Sequence, residues 1–316
     1  MEDVKLNEVP DSVLVSLNSL LEMRYSAGKT FHKTYKKSGA LMAGNFASPF
    51  RGRGIDFSEV RLYQPGDDIR SMDWRVTART GKPHTKLFTE ERERPVLFVF
   101  DSGSSMQFGT KVAFKAVVAA KTIALLAWSA ISHGDRVGGL LFDGENHEEV
   151  KPAGGKRGIL KFLKRLVDWN KRSFVNRSQT HAVNFHDVVR RLRRTAKPGS
   201  LVYIVSDFME LDRNAQLYLG QIAQHCDIVL IQIYDAIEKT PPPPGSYMMT
   251  DGKSFENLSM DKSDMRKAFT NEFLTRQENI QKFCTRHGLH FFPLCNTDNI
   301  QQVVRDELTH KILKAL

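Results

Sequence analysis

Residues 95–101 read PVLFVFD, a run of apolar residues that ends in an acid. Such a continuous apolar run is typical of a strand that is buried on both faces of a parallel sheet. The next stretch, from about Lys111 to Ser132, predicts a long helix that is closed by His133-Gly134. Because this strand and helix are followed by several similar pairs, they decide the fold class.

The alternation of strand and helix continues through the rest of the sequence. The further predicted strands are RVGGLLFDG, LVYIVSD, DIVLIQIYD and LHFFPL. The predicted helices lie at 156–169, at 183–194, at 214–225, in a long stretch that ends near 287, and at 300–313. We therefore expect an α/β fold with a doubly wound, mostly parallel sheet and helices on both faces.

The sequence before this region predicts two smaller parts. Residues 46–94 mix short β-prone pieces with turn signals such as Pro65-Gly66, which indicates a small β-rich unit. Residues 1–45 hold one amphipathic helix near Val13 to Leu21, with Asp11 or Ser12 as its N-cap, and then a linker. The α/β domain is expected over 95–316.

The net charge of +10 comes from one segment of the chain. Residues 151–200 contain fourteen Lys or Arg against two Asp, so this segment carries +12 and the remainder carries −2. The composition is otherwise that of an ordinary globular protein, with 41% hydrophobic and 26% charged residues. A basic segment on a nearly neutral chain argues against a protein that coats nucleic acid over its whole surface.

The basic segment predicts a partner-binding face. In the helix at 156–169 the apolar residues share one side and the cations the other, and a second basic helix end follows at 190–194. The helix dipole explains only part of the charge at that second end. We expect these cations to bind an acidic protein partner. The face consists of Lys161, Lys164, Arg165, Arg190, Arg191, Arg193 and Arg194.

The cysteines and the apolar segments bear on the compartment. Cys226, Cys284 and Cys295 have no CxxC spacing, so neither a disulfide framework nor a zinc site is predicted. The N-terminus lacks a basic start followed by an apolar stretch, and the longest apolar-rich run, 112–131, is interrupted by two lysines. We expect no secretion signal, no transmembrane segment and a cytoplasmic protein, with peripheral attachment to the inner membrane as the alternative.

Three of the predicted strands end in an acid, namely Asp101, Asp207 and Asp235. The carboxyl ends of parallel strands meet at one edge of the sheet, where doubly wound folds bind ligands. A solvent-facing strand end explains one isolated acid, but a pair flanked by hydroxyls, as in DSGSS and VSD, favours a functional site. Carboxylates, hydroxyls and water are the ligands of a hard cation such as Mg²⁺.

The pattern Asp101-x-Gly103-x-Ser105 resembles the DxSxS metal-ion-dependent adhesion motif of the von Willebrand factor A fold. In that family an acid and two hydroxyls in the first loop, a threonine in a second loop and an acid in a third hold the ion. Here Gly103 stands where the family places one serine, and the flanking Ser102 and Ser104 are the alternative hydroxyls. The resemblance implies Mg²⁺, or Mn²⁺ or Ca²⁺, held by Asp101, Ser105, Thr180 and Asp207.

The upstream segment GRGIDFSEVRLYQPGDDIRSMDWRVTARTGKPHTKLFTEER, at 52–92, closely resembles a bacterial family of unknown function, the domain-of-unknown-function fifty-eight type. Members of that family carry a von Willebrand A-like domain and are encoded beside MoxR-type AAA+ ATPases. The resemblance implies a fold and a partner but no established reaction. The matching residues include Arg53, Tyr63, Asp67, Asp68, Arg70, Asp73, Trp74 and Arg79.

Charges of both signs in this segment predict an ion-pair clamp. The arginines at 70, 75 and 79 would pair with the acids at 67, 68 and 73 and fix the β-rich unit against the α/β domain. The alternative is general acid–base catalysis by an acid pair, but no nucleophile or base accompanies the acids at a recognisable spacing.

Three functions of different classes remain open. The first is a non-enzymatic protein-interaction module with a metal-ion-dependent adhesion site, an adaptor or co-chaperone of a MoxR-type ATPase. The second is a binder of an anionic membrane surface or of nucleic acid through residues 151–200, although no interleaved aromatic residues support nucleic acid. The third is Mg²⁺-dependent phosphoryl transfer, which needs a second metal or a phosphate loop. We expect the first.

Overall fold

A computed structural model describes residues 9–27, 55–90, 93–175, 183–250 and 255–314. The chain divides into two compact units, of which one is Ser38–Glu93 and the other combines Met1–Lys37 with Arg94–Leu316. The larger unit contains the α/β domain and also helix α1 (Leu17–Ala27). The N-terminal helix thus belongs to the same unit as the α/β domain.

The smaller unit is built on an antiparallel ribbon of two strands. These are β1 (Ile55–Leu62) and β2 (His84–Glu90), and their register shifts between Phe57 and Glu59. Helix α2 (Trp74–Thr80) lies between them in the sequence. Its N-cap residue, Asp73, accepts hydrogen bonds from two backbone N–H groups of the first turn, which satisfies donors that the helix itself leaves open.

Six strands form the central sheet of the larger unit, in the order β10-β7-β6-β3-β4-β5, and only β5 is antiparallel to its neighbour. The chain passes from β3 to β4 on one side and later returns to the other side of β3 at β6. The topological switch point therefore lies between β3 and β6. The remaining strands are β3 (Pro95–Asp101), β4 (Arg136–Phe142), β5 (His147–Ala153), β6 (Leu201–Ser206), β7 (Asp227–Tyr234), the hairpin pair β8 (Ser246–Thr250) and β9 (Phe255–Ser259), and β10 (His290–Cys295).

Helices cover both faces of this sheet. Phe98 of β3 packs with α3 and α4, whereas its neighbour Leu97 packs with α5, α6 and α8. Successive side chains of a strand point to opposite faces, so the two helix layers lie on opposite sides. The predicted α/β, doubly wound, mostly parallel fold is confirmed. The helices are α3 (Lys115–Ser132), α4 (Gly155–Val175), α5 (Phe185–Thr195), α6 (Arg213–Ala223), α7 (Ala236–Lys239), α8 (Ser263–His287) and α9 (Ile300–Lys314).

Helix α1 packs on α3, and it begins later in the sequence than the apolar spacing predicts. The carboxylate of Asp11 accepts the N–H of Ser16 at 2.7 Å, and the Ser16 hydroxyl accepts the N–H of Ser19 at 3.2 Å. The capping hydroxyl is therefore that of Ser16, and neither Asp11 nor Ser12 caps the helix. The indole Nε1 of Trp128 donates to the carbonyl oxygen of the fully buried Leu20 at 2.9 Å, which fixes α1 against α3.

Helix α3 is long and apolar enough to cross a membrane, judged by length and composition alone. In this protein 83% of it is buried inside the molecule. Core helices of globular domains have this same composition when they are covered on all sides. Its burial between the sheet, α1 and α4 accounts for the apolar sequence without a membrane.

Candidate functional site

The two acids of the predicted metal site lie side by side at the switch point. Phe100 of β3 pairs with Val205 of β6, so Asp101 is level with Ser206 and one residue from Asp207. Asp101 is 7% exposed and Asp207 is 4% exposed. The structure thus brings both predicted acids to the sheet edge where folds of this type bind ligands.

The carboxylate of Asp101 is held by two hydrogen bonds. The Ser206 hydroxyl donates to Oδ2 at 2.5 Å, and the Gly103 N–H donates to Oδ1 at 2.9 Å. Burial and, after it, the negative charge of Asp207 raise the pKa of Asp101 to about 7, against the lowering effect of these hydrogen bonds. A cation between the two acids would relieve this repulsion.

Asp207 is already paired with a buried lysine. Lys115 Nζ lies 2.9 Å from Oδ2 of Asp207 and 2.8 Å from Oε1 of Glu238. Burial lowers the pKa of Lys115, but the two carboxylates raise it by more, so the side chain stays an ammonium. The other oxygen, Oδ1 of Asp207, accepts the N–H of Met209 at 3.1 Å.

The residue after Asp207 has an unusual backbone conformation. Phe208 has a φ of 56°, in the left-handed region that bulky residues rarely adopt. Its ring is buried and contacts Phe185 edge-on at 5.9 Å between ring centroids, and its N–H donates to the Ser206 hydroxyl at 3.0 Å. This packing holds the turn that carries Asp207 at the end of β6.

The first loop places its hydroxyls on two sides. Ser102 is fully buried, and its hydroxyl contacts the Phe142 carbonyl oxygen and the Ser173 hydroxyl, each at 2.8 Å. It therefore points into the domain and does not replace the missing ligand. Ser104 and Ser105 are exposed on a 3₁₀ turn, which leaves both hydroxyls open to solvent at the edge of the sheet. Thr180 lies outside the described residues.

Asp235, the third strand-end acid, has a structural role. Its carboxylate accepts hydrogen bonds from the N–H of Thr110 at 2.7 Å, from the Thr110 hydroxyl at 2.6 Å and from the Asn296 amide at 2.6 Å. It also caps α7 through the N–H of Ile237. Burial raises the pKa of Asp235, but these hydrogen bonds lower it by more, so the pKa lies below its usual value.

The acids of the predicted ion-pair clamp, which lie in the smaller unit, contact residues close to them in the sequence or in the ribbon. Asp67 pairs with Arg61 at 2.6 Å. The sequence instead predicts a pair with one of the arginines at 70, 75 and 79. Asp68 accepts the backbone N–H of Arg70, and Asp73 caps α2 and lies 3.8 Å from Lys86. These acids thus serve mainly as caps, because short Asp side chains reach nearby N–H groups.

The other members of that segment can be placed only in part. Trp74 is 66% exposed, and Arg70 and Arg79 are also exposed. The N–H of Tyr63 donates to the carbonyl oxygen of Pro83 at 2.9 Å. Arg53 lies outside the described residues.

The predicted single basic face is wrong, because its two helices lie on opposite sides of the sheet. Helix α4, with Lys161, Lys164 and Arg165, packs on the side of Phe98, and α5 packs on the side of Leu97. Arg165 pairs with Glu148 at 3.2 Å, and Arg190 pairs with Asp187 at 2.8 Å.

The far end of α5 also points away from the acids. This helix leads into the start of β6, so its last turn lies toward the amino edge of the sheet. Arg193 there donates to Gln221 at 2.6 Å and stacks over the ring of Tyr218. Arg193 and Arg194 therefore do not form a rim around Asp101 and Asp207. Arg191, on the same helix, lies near His147, and burial and this positive charge lower the pKa of His147.

The described residues fit a hard cation in part. They contain no group of three or more His, Cys, Asp or Glu side chains that could hold a metal. Two carboxylates and the exposed hydroxyl of Ser105, completed by water, are nevertheless an adequate set for Mg²⁺, which keeps several waters. The mutual repulsion of Asp101 and Asp207 supports this assignment, and the Lys115 contact opposes it.

Three residues of the site were not among the predicted ligands. These are Lys115, Ser206 and Glu238. Ser206 contacts Asp101, Lys115 contacts Asp207, and Glu238 contacts Lys115. The sequence carried one signal for Lys115, because a lysine inside an apolar run needs a partner if it is buried. Nothing in the sequence indicates that Glu238, on a short helix after β7, is one of those partners.

The pKa of Asp101 predicts a pH dependence of stability. The folded state holds this proton up to a pH of about 7, whereas the unfolded chain releases it near 3.8. Unfolding free energy should therefore fall as the pH rises from 4 to 7 and then level off, because the folded state binds the extra proton. Asp101→Asn should flatten this slope in urea titrations with EDTA, and Asp227→Asn, at the exposed start of β7, should not. Parallel profiles for wild type and Asp101→Asn would contradict the assignment.

A hydroxyl at position 103 should strengthen metal binding. A Cβ built on Gly103 would lie 3.2 Å from Oδ1 of Asp101, so a serine there brings its Oγ beside the carboxylate after a small adjustment. We expect Gly103→Ser to lower the Kd for Mn²⁺ by roughly tenfold, the effect of one added ligand. Gly103→Ala is the matched control, since it adds the same Cβ without oxygen. Equal calorimetric affinities for the serine and alanine variants would rule the effect out.

The doubly wound α/β domain, with acids at the ends of its two switch-point strands, has the fold expected of a von Willebrand A-like protein. The protein belongs to the family described as "Protein of unknown function DUF58", whose model matches residues 59–279. Among curated proteins, the uncharacterized protein Rv1480 of Mycobacterium tuberculosis and Mb1516 of Mycobacterium bovis are each 28% identical over 230 residues. That alignment covers 72% of this chain and 71% of each relative.

Solved structures show more distant likenesses. The conserved hypothetical protein BatB from Bacteroides thetaiotaomicron is 12% identical with a TM-score of 0.41, over 70% of this chain and 99% of that one. The PilB minor pilin from Streptococcus sanguinis is 9% identical with a TM-score of 0.38, over 75% and 66%. A von Willebrand factor type A structure from Catenulispora acidiphila is 9% identical with a TM-score of 0.33, over 73% and 44%.

Proposed function

We propose that this protein is a non-enzymatic interaction module that docks a partner at the carboxyl edge of its sheet. The observation that carries the proposal is the buried pair Asp101 and Asp207 at the switch point, where the repulsion between the two carboxylates favours a bound cation. Mg²⁺, or Mn²⁺ or Ca²⁺, bound there through Asp101, Asp207 and Ser105 would keep a water that a carboxylate of the partner replaces.

The surroundings of the acids suit a docking site better than a catalytic one. Phe108, Val112 and Met209, on the loops that follow β3 and β6, are 37%, 58% and 51% exposed. Exposed apolar side chains around a few polar groups are typical of surfaces that bind proteins. The buried ammonium of Lys115 is paired with two carboxylates, so it is not available as a base or nucleophile.

The partner that we propose is a MoxR-type AAA+ ATPase, which the family resemblance implies. In this proposal the protein is a cytoplasmic adaptor or co-chaperone that presents an acidic client to the ATPase. The cations of α4 and α5 lie on opposite sides of the sheet, so any steering of an acidic client would involve one helix or the other.

Co-purification of the full chain with a MoxR-type AAA+ ATPase of the same organism tests this proposal. We expect association in Mg²⁺, and we expect it to be lost with EDTA and with Asp101→Ala. Asp143→Asn is the matched control, because Asp143 follows the neighbouring strand β4 but pairs with Arg172. Absence of association under every condition would overturn the adaptor, whereas association that ignores both EDTA and Asp101→Ala would discard the metal alone.

A further inference from the structure

The buried lysine of the site is not explained by the helix that carries it. Lys115 is the first residue of α3 and is 1% exposed. The amino end of a helix is its positive pole, which disfavours a cation. Removing an ammonium from water is also costly unless carboxylates surround it. The position of Lys115 is therefore set by what it contacts and not by helix formation.

Its two partners come from loops that follow different strands. Asp207 follows β6, and Glu238 belongs to α7 after β7. Glu238 is itself held in place, because its Oε2 accepts the N–H of Asp235 at 2.7 Å while Oε1 contacts Lys115 at 2.8 Å. Glu238 would thus still hold the ammonium if Asp207 were occupied by another cation.

The contact with Lys115 occupies one of the two carboxylate oxygens of Asp207. Oδ1 of Asp207 accepts a backbone N–H from Met209, and Oδ2 accepts Lys115. A divalent ion that binds either oxygen of Asp207 lies close to a buried positive charge, the ammonium of Lys115. Two cations that bind the same carboxylate in a protein interior repel each other strongly.

We propose that Lys115 is an internal competitor of the metal, which neutralises Asp207 at rest and withdraws to Glu238 when a divalent ion binds. This inference rests on the proposed function, since it concerns the metal of the same site. Lys115 would set the metal affinity of the protein, and Glu238 would provide the resting place that makes binding feasible.

Titration of the full chain with Mn²⁺ by calorimetry tests the competition through changes of opposite sign. Lys115→Met should lower the Kd for Mn²⁺ by about tenfold or more, because the competing charge is gone. Glu238→Gln should raise the Kd, because the ammonium then depends on Asp207 alone. Lys121→Met is the matched control on the same helix, since Lys121 pairs with Asp11 at the surface, and it should leave the Kd unchanged.

The outcomes separate this inference from the proposed function. Mn²⁺ binding of equal strength by wild type and Lys115→Met would overturn the competition and leave the metal-dependent module intact. Binding by Lys115→Met but not by wild type would support the competition and overturn the metal-dependent docking. Absence of binding by both would overturn both.

A variant that loses its fold is covered by a second measurement. Circular dichroism identifies an unfolded Lys115→Met, and the test then rests on Glu238→Gln and on Lys115→Arg, which keeps the charge. Both should bind Mn²⁺ no better than wild type, and Glu238→Gln should bind it more weakly. Tighter binding by Glu238→Gln would overturn the inference.

Discussion

Replacement of Asp235 by alanine is expected to lower the free energy of unfolding by about 3–5 kcal/mol, because it leaves several buried donors without an acceptor. The carboxylate is fully buried and joins three separate parts of the domain, namely the loop at Thr110, the start of α7 and the segment at Asn296. Urea denaturation at pH 7 measures the loss.

The control for this variant is another capping aspartate that lacks the network. Asp212 caps α6 by accepting one backbone N–H, from Ala215 at 2.7 Å, and its other oxygen lies 3.2 Å from Nδ1 of the partly exposed His186. Asp212→Ala should therefore cost only about 1 kcal/mol. The carboxylate of Asp235 is stabilised in its ionised form, so its contribution is present at neutral pH and is lost as the pH falls below its lowered pKa. Similar losses for the two variants at pH 7 would show that the network adds nothing to an ordinary cap.

Replacement of Gly139 by alanine is expected to cost more than about 4 kcal/mol, which is exceptional for a single methyl group. Gly139 lies in β4, and a Cβ there would be 1.9 Å from the carbonyl oxygen of Phe98 in the neighbouring strand. Because both atoms belong to paired backbones in the centre of the sheet, neither can move without breaking the ladder. Soluble yield and circular dichroism of the purified variant would show the loss of fold.

Gly154→Ala is the matched control for the β4 variant. The nearest atom to a Cβ on Gly154 is the flexible Cγ of Arg136 at 3.7 Å, an ordinary contact, so this change should alter stability by less than about 1 kcal/mol. A stable, soluble Gly139→Ala protein with wild-type unfolding would show that β3 and β4 do not approach as closely as the structure places them.

The sequence was a good guide to the sheet because buried parallel strands are unusually apolar. PVLFVFD, LVYIVSD and DIVLIQIYD are buried along most of their length, and each was recognisable without knowledge of its neighbours. Asp101 and Asp207 followed from the same reasoning, since strand ends at a switch point must meet. The hairpin of β8 and β9 was missed, because short strands after a proline-rich loop have no such apolar run.

The basic helices show where sequence reasoning ends. An amphipathic pattern reveals that a helix has an apolar side, and α4 and α5 both have one, but it does not tell which face of the sheet that side covers. The answer depends on which alternate residues of β3 each helix meets, a contact between residues far apart in the sequence. The pairing of Lys115 with Glu238, 123 residues apart, escaped prediction for the same reason.

The position of α1 has a consequence for the order in which the protein is made. Leu20 leaves the ribosome 108 residues before Trp128, its hydrogen-bonding partner on α3. During synthesis the helix must therefore wait while the whole smaller unit is produced between the two. Until α3 has been synthesised, the apolar side of α1 lacks the helix on which it packs. A nascent chain in this state exposes apolar surface, so it is the form most prone to aggregate and to bind chaperones.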